Sequence, residues 1–356
     1  MRFFVMAGEV SGDQHAAALV RAIQEQAPSS QFDFCGGEAL QQLLQKPSLI
    51  ALDRLSIMGI FNVIKHWKTV RNNFREVKQH LQSNSFDALI LVDYPGFNLR
   101  IASWAKQRGM KVFYYISPTV WAWKESRIKT IQSSVDQLYC ILPFEQNFYR
   151  ERGVEVSYFG NPTASDWRRW ENPKRLNQIA LFPGSRKQEI MSLAPLFDEL
   201  MNRFPQEQFV LSCAPGIEEK WLLSLFKKSN LSVSNHSKTL LKESKAAVLC
   251  SGTVSLEAGL ANCPQVLVYR LDRFSWWLAK RLVKLKFISL VNLVLGEKEV
   301  EEWVGPHWGA MEVAGSLEKL LKEENSGRTR EKLLAVFGDL EPEPQIAADI
   351  LKRINA

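Results

Sequence analysis

Arg186 follows Pro183-Gly184-Ser185 at the end of an apolar run, Ile179 to Phe182, and a helix-like segment starts immediately after it. This is a strand feeding a tight turn into a helix N-terminus, where unpaired backbone N–H groups and the helix dipole favour an anion. Arg186 adds a permanent charge with a planar fork of donors matched to phosphate oxygens, so a diphosphate leaving group suits the turn. An ordinary strand-to-helix turn with a solvent-facing arginine reads the same. Cys250-Ser251-Gly252-Thr253-Val254-Ser255-Leu256-Glu257 repeats the grammar. Ser251, Gly252 and Thr253 offer donors to phosphate, and Glu257, one helical turn beyond Thr253, can accept from a ribose diol. A capped helix start reads alike, but two phosphate-like turns support each other.

Two carboxylates stand at comparable points nearer the N-terminus. The run Phe3–Ala7 leads into Gly8-Glu9-Val10-Ser11-Gly12-Asp13, whose glycines let backbone approach a ligand; helix capping explains Ser11 and Asp13 equally well. The apolar run Ala88-Leu89-Ile90-Leu91-Val92 closes on Asp93, followed by Tyr94-Pro95-Gly96-Phe97-Asn98. A carboxylate ending such a strand invites partial desolvation, which raises its pKa and suits a general base. The plainer reading is a cap for the next helix.

These residues need a frame that brings strand ends together. Further strand candidates are Phe32–Cys35, Leu49–Leu52, Lys111–Tyr115, Gln137–Leu142 and Val156–Phe159, separated by amphipathic stretches such as Gln14–Gln26, Asn62–Gln82, Leu99–Arg108 and Arg127–Ser133. Strand–helix alternation argues for a parallel sheet covered on both faces, with ligands at the carboxyl ends of its strands. The polar segment Ser165 to Asn177 breaks the rhythm and is the expected domain boundary. Alternation restarts with Gln178–Phe182, Phe209–Cys213, Ala247–Cys250 and Val266–Tyr269. The expected fold is α/β, with two doubly wound, Rossmann-like halves facing a cleft. The helical spacing of Gln345 to Ile354 suggests a last helix packed back on one half.

Bulk properties agree with a two-domain globular protein. The chain has 356 residues, 46% of them hydrophobic and 23% charged, and no apolar run long enough to span a membrane. The N-terminus reads directly as a first strand rather than a signal peptide. Five scattered cysteines without CxxC spacing read as buried thiols, and five histidines without HxxH or HExxH spacing make a zinc enzyme improbable. No metal and no cofactor are expected. The net charge of +7 suits nucleic acid, anionic lipid or phosphorylated substrates. Two apolar-basic stretches concentrate it: Ile57–Trp67 with Lys68, Arg71 and Arg75, and Arg273–Phe287 with Trp276, Trp277 and five cations. Basic amphipathic segments with Trp suit a membrane surface. No RNA- or DNA-binding pattern accompanies them, so no nucleic-acid partner is expected.

Taken together, the motifs resemble the lipid-A-disaccharide synthase family. The landmarks are Gly8-Glu9-Val10-Ser11-Gly12-Asp13, Ile57-Met58-Gly59, Asp93-Tyr94-Pro95-Gly96-Phe97-Asn98, Ser117-Pro118-Thr119-Val120-Trp121-Ala122-Trp123 and Leu142-Pro143-Phe144-Glu145. Pro183-Gly184-Ser185-Arg186, Ser251-Gly252-Thr253, Tyr269-Arg270 and Ser289-Leu290-Val291-Asn292-Leu293 follow in the same order. The resemblance implies the GT-B glycosyltransferase fold, with an acceptor and lipid domain at 1–165, a UDP-sugar domain at 178–334 and helix 335–356 returning to the first. It implies transfer from UDP-2,3-diacylglucosamine to 2,3-diacylglucosamine 1-phosphate, with inversion and release of UDP. Asp93 then becomes the general base, Arg186 the stabiliser of the departing diphosphate, and Glu9 a second catalytic carboxylate. Gly184, Ser185, Arg186, Ser251, Gly252, Thr253, Glu257 and Asn292 become the UDP site. The acceptor falls to Ser11, Asn98 and Trp121, and its acyl chains to Met58, Ile60, Phe61 and Ile64. The implied setting is cytoplasmic and peripheral on the inner membrane of a bacterium with an outer membrane, with anionic lipid as partner and the oligomeric state, a homodimer included, left open.

The chain departs from the family pattern at Asn161, where His is common, at Asn62, where Glu is frequent, and at Gly305, where Gln is frequent. These departures touch acceptor detail more than reaction class. Two other readings remain: another UDP-sugar enzyme of the same fold, such as a transferase to a different lipid or a UDP-N-acetylglucosamine 2-epimerase, and a non-catalytic lipid or nucleotide-sugar binder.

Overall fold

The computed structural model describes residues 1–55, 67–170, 175–250, 252–282, 285–322 and 327–355. The chain forms two compact units, Met1–Pro162 with Asp339–Ala356, and Thr163–Gly338. The polar segment after Ser165 belongs to the second unit, where Trp167 is buried.

The first unit is built on a six-stranded parallel sheet of β1 (Arg2–Ala7), β2 (Gln31–Cys35), β3 (Ala88–Val92), β4 (Lys111–Tyr115), β5 (Gln137–Cys140) and β6 (Val156–Tyr158), in the order β2-β1-β3-β4-β5-β6. Its strands are almost wholly buried, as expected of a sheet with helices on both faces. The stretch Leu49–Leu52, expected as a strand, makes only a single bridge, Gly36 to Ala51, and then turns into the short helix Leu52–Leu55. The last helix, Pro342–Asn355, packs beside Val10–Gln26 and places Ile346, Ala347 and Ile350 in the core with β1 and β3. Tyr115 and Tyr139 donate to its Glu343 and Asp349.

The second unit repeats the plan with β7 (Leu176–Phe182), β8 (Gln208–Ser212), β9 (Leu231–Ser234), β10 (Ser244–Leu249), β11 (Gln265–Arg270) and β12 (Glu301–Gly305), in the order β12-β11-β10-β7-β8-β9. In both sheets the chain winds outward in one direction and then crosses to the other side of its starting strand. The reversal falls between β1 and β3 in the first sheet and between β7 and β10 in the second. Doubly wound sheets open a crevice at the carboxyl ends of the strands at this reversal.

Candidate active site

At the first reversal, Ala7 pairs with Val92 and Val92 with Tyr115, so Glu9, Asp93 and Ile116 leave neighbouring strand ends. Asp93 and Tyr94 both adopt left-handed backbone, with φ of 47° and 50°, and Ile116 does so at 63°. Such backbone costs about 1–3 kcal/mol per non-glycine residue and persists only where its surroundings impose it. The Asp93 N–H donates to the Tyr115 carbonyl at 3.0 Å, and the Asp93 carbonyl accepts from Tyr114 Oη at 2.6 Å and Asn98 Nδ2 at 2.7 Å. Tyr94 Oη donates to the Leu55 carbonyl at 2.7 Å, and its ring lies against Gly8, where a Cβ would come within 2.2 Å of a ring carbon. Gly8 is therefore needed because an aromatic ring fills the space of any side chain.

Burial raises the pKa of Asp93 above its ordinary value, and one hydrogen bond from the Tyr94 backbone only partly offsets it. No cation counts among the causes of that shift. A half-buried carboxylate of this kind is a stronger base than one in water. Glu9 stands half-buried at the N-cap of Val10–Gln26, and its charge is felt by Tyr94. Ser11 is exposed in the first turn of that helix. Asp13 is buried and accepts from the Gly37 and Ala39 N–H groups, so it anchors the loop after β2. Asn98 is wholly buried with its amide nitrogen on the carbonyls of Val92 and Asp93, so it holds the turn under Asp93 instead of facing an acceptor. Trp121 is half-buried, with its indole N–H on Glu145. Met58, Ile60, Phe61 and Ile64, together with Asn62, lie outside the described residues.

At the second reversal a cavity of about 510 Å³ opens beyond β7, β8, β10 and β11. Gly184, Ser185, Arg186 and Gly252 line it, joined by Tyr269 of the Tyr269-Arg270 landmark and by Glu189, Ser212 and Asn235, to which the sequence reading gave no role. Gly184 has φ of +94°, which turns the chain into the helix Lys187–Arg203 with Arg186 as its N-cap. Arg186 is exposed, and its Nη1 donates to Glu189 Oε1 at 2.9 Å. The Glu189 carboxylate also approaches Gly184, where a Cβ would lie 2.6 Å from Oε2. An acid already sits where a helix N-terminus would receive an anion; its spacing of three from Arg186 was the signal available in the sequence. Burial pushes the neighbouring Cys250 thiol up to about 12, with the Glu189 charge adding to the shift, so it stays protonated.

Gly252 opens the helix Gly252–Leu260, and a Cβ there would meet the Ile288 carbonyl at 3.0 Å. Ser251 lies outside the described residues. Thr253 is exposed and Glu257 half-buried on the same helix, and neither is among the cavity-lining residues. Burial raises the Glu257 carboxyl, and Lys238 partly offsets it. Asn292 departs most from expectation. It is wholly buried, donates to the Val300 carbonyl and Glu302, and accepts from the Glu299 and Val300 N–H groups. Its amide is thus fully engaged in fixing the 288–302 segment and has no capacity left for a ligand. Gly305 has φ of +102° with the Trp276 ring 3.0 Å from a would-be Cβ.

Among the described residues no group of three His, Cys, Asp or Glu side chains could hold a metal, and no helix is long and apolar enough to cross a membrane.

The sequence profile of the family described as lipid-A-disaccharide synthetase matches residues 3–344. The lipid-A-disaccharide synthase of Myxococcus xanthus is 37% identical over 357 aligned residues, covering 95% of this chain and 92% of its own. That of Trichlorobacter lovleyi is 35% identical, with 94% and 92% covered. Among solved structures, UDP-GlcNAc 2-epimerase from Neisseria meningitidis bound to UDP-GlcNAc aligns with a TM-score of 0.69 at 11% identity over 99% of this chain and all of its own. Arabidopsis thaliana UGT89C1 complexed with UDP aligns with a TM-score of 0.66 at 9% identity over the whole of both chains. At such identities the likeness shows the shared GT-B fold alone. The sequence matches go further: this chain is a member of the lipid-A-disaccharide synthase family of glycosyltransferases.

Proposed function

We propose that this glycosyltransferase joins UDP-2,3-diacylglucosamine to 2,3-diacylglucosamine 1-phosphate, forming the lipid A disaccharide and releasing UDP. The observation that carries the reading is the family match along residues 3–344. The raised pKa of Asp93 supports its part in the chemistry. Asp93 would take the proton from the acceptor's 6-hydroxyl as that oxygen attacks C1 of the donor sugar, while the bond from C1 to the diphosphate oxygen breaks. Attack opposite the leaving group inverts C1. Arg186 and the N–H groups at the start of Lys187–Arg203 would balance the charge growing on UDP, as preorganised donors do for a developing oxyanion. Glu9, at the strand end next to Asp93, is suited to orient the acceptor.

Both acylated sugars belong to a membrane surface, and we assign the protein a peripheral place on the inner face of the inner membrane. The helix Trp67–Ser83 supports this assignment: Trp67 is half-exposed, and Arg71, Arg75 and Lys78 line an open groove with Phe74. Cations beside exposed aromatic groups attract anionic headgroups. The test is UDP release by the purified protein with both diacylglucosamine substrates and mass spectrometry of the product. UDP release with a disaccharide mass is the expected result, and its absence ends the reading.

A further inference from the structure

Glu145 is 1% exposed, and nothing in the reaction as described above uses it. It is the third residue of the helix Pro143–Arg150, and its Oε2 accepts from the N–H groups of Ile141 at 3.2 Å and Leu142 at 3.0 Å. That is half of an ordinary capping arrangement, which a glutamine or a half-exposed glutamate would also make. The cap does not account for the other oxygen, which leaves its own helix and accepts from Trp121 Nε1 at 2.8 Å. Burying a carboxylate fully is costly, and burial raises Glu145 to about 7 against the donors from Trp121, Leu142, Ser117 and Ile141.

The loop that Glu145 holds begins at the left-handed Ile116, one residue past the strand end bonded to Asp93. The same helix grips this loop at two further points. Tyr149 Oη donates to the Pro118 carbonyl at 2.5 Å, and the Phe144 ring meets Trp121 edge to face at 5.0 Å between centroids. With its N–H engaged, Trp121 has only its ring to offer a ligand.

We infer that Glu145 is a positioning residue for the acceptor: it ties the 116–123 loop, which leaves the sheet beside Asp93, to the helix Pro143–Arg150 and so fixes the Trp121 ring within that loop. The ring then serves an apolar surface, the carbon face of the acceptor sugar or the start of an acyl chain. The inference rests on the proposed transfer reaction. That reaction is therefore tested first with wild-type protein, whose failure to release UDP counts against the reaction and not against Glu145.

The experiment is a double-mutant cycle of Glu145→Ala and Trp121→Phe, read as the KM of each substrate and kcat by UDP release, with thermal unfolding measured alongside. Each single variant should raise the acceptor KM about tenfold, the effect of losing one charge-assisted hydrogen bond, and leave the donor KM within about twofold. The double variant should be no worse than the worse single one. Should Glu145→Ala fail to fold, Trp121→Phe still decides, because it leaves the helix cap intact, keeps an aromatic though smaller ring, and removes the indole donor to Glu145. An unchanged acceptor KM in Trp121→Phe, multiplying effects in the double variant, or equal loss for both substrates would overturn the inference.

Discussion

The two sheet reversals share a topology and differ in almost everything else. At the first, the chain leaves its strands through three left-handed non-glycine residues, Asp93, Tyr94 and Ile116, and presents carboxylates in a partly dry setting. At the second it leaves through Gly184 and Gly252 into helix N-termini and presents backbone donors and an exposed Arg186. The difference suits the parts proposed for the two edges. A base is strengthened by desolvation, and keeping it in place requires strain and a clamp of hydrogen bonds. An anion site needs many N–H groups close to the ligand, and glycines supply that approach.

The contrast is sharpest in mutants that remove the active group of each edge. Asp93→Asn should lower turnover by about 10³-fold, within the range of general-base losses, while UDP binding measured by calorimetry stays near wild type. Because burial raises Asp93, the acid limb of kcat/KM should lie above the ordinary carboxylate range and vanish in this variant. Arg186→Ala should cost about 10²-fold in kcat and weaken UDP binding as well. If Asp93→Asn abolished UDP binding, the division of labour between the edges would fail.

Next in size are the glycines. Gly8→Ala puts a methyl group into the Tyr94 ring and should lower stability by about 1–3 kcal/mol. Gly184→Ala meets only the end of the flexible Glu189 side chain, so its cost is chiefly backbone strain, about 1 kcal/mol. Denaturant titration of the two variants orders them, and a larger loss for Gly184→Ala would reverse the account of which edge is crowded. Smallest is Glu189→Gln, which removes the resident negative charge beside Arg186. Kd for UDP should fall about threefold, in keeping with a weak exposed ion pair. A rise would mean that Glu189 serves to aim Arg186.

Much of this was legible in the chain. The strands before these two turns end in unbroken apolar runs, Ala88–Val92 and Ile179–Phe182, so Asp93 and the Pro183–Arg186 turn stood out as their ends. The edge strands of the second sheet were not legible. β9, Leu-Ser-Val-Ser, alternates and is half-exposed, while β12 opens with two glutamates, so neither has the apolar density of a central strand. Leu49–Leu52 had that density and still became a turn into a helix. The asparagines show a second limit. Asn98 and Asn292 sit inside functional motifs, yet both amides hold backbone, and an asparagine in a motif reads the same in either role. Glu145 stood in a quoted motif, but its link to Trp121 was hidden for the opposite reason: the two lie 24 positions apart, and no local pattern joins them.

The placement of the Pro342–Asn355 helix bears on how the protein is made. Residues 163–338 form the second unit without interruption, whereas the first is left at Pro162 and resumed only at Asp339. On the ribosome, the second unit can therefore close while its predecessor still lacks Ile346, Ala347 and Ile350, leaving the core it shares with β1, β3 and the helix Val10–Gln26 incomplete until the last helix arrives. A stop anywhere in the later half would leave the earlier one without this helix. The order of synthesis thus makes the unit that carries Asp93 the last to be finished, although it is the first to be started.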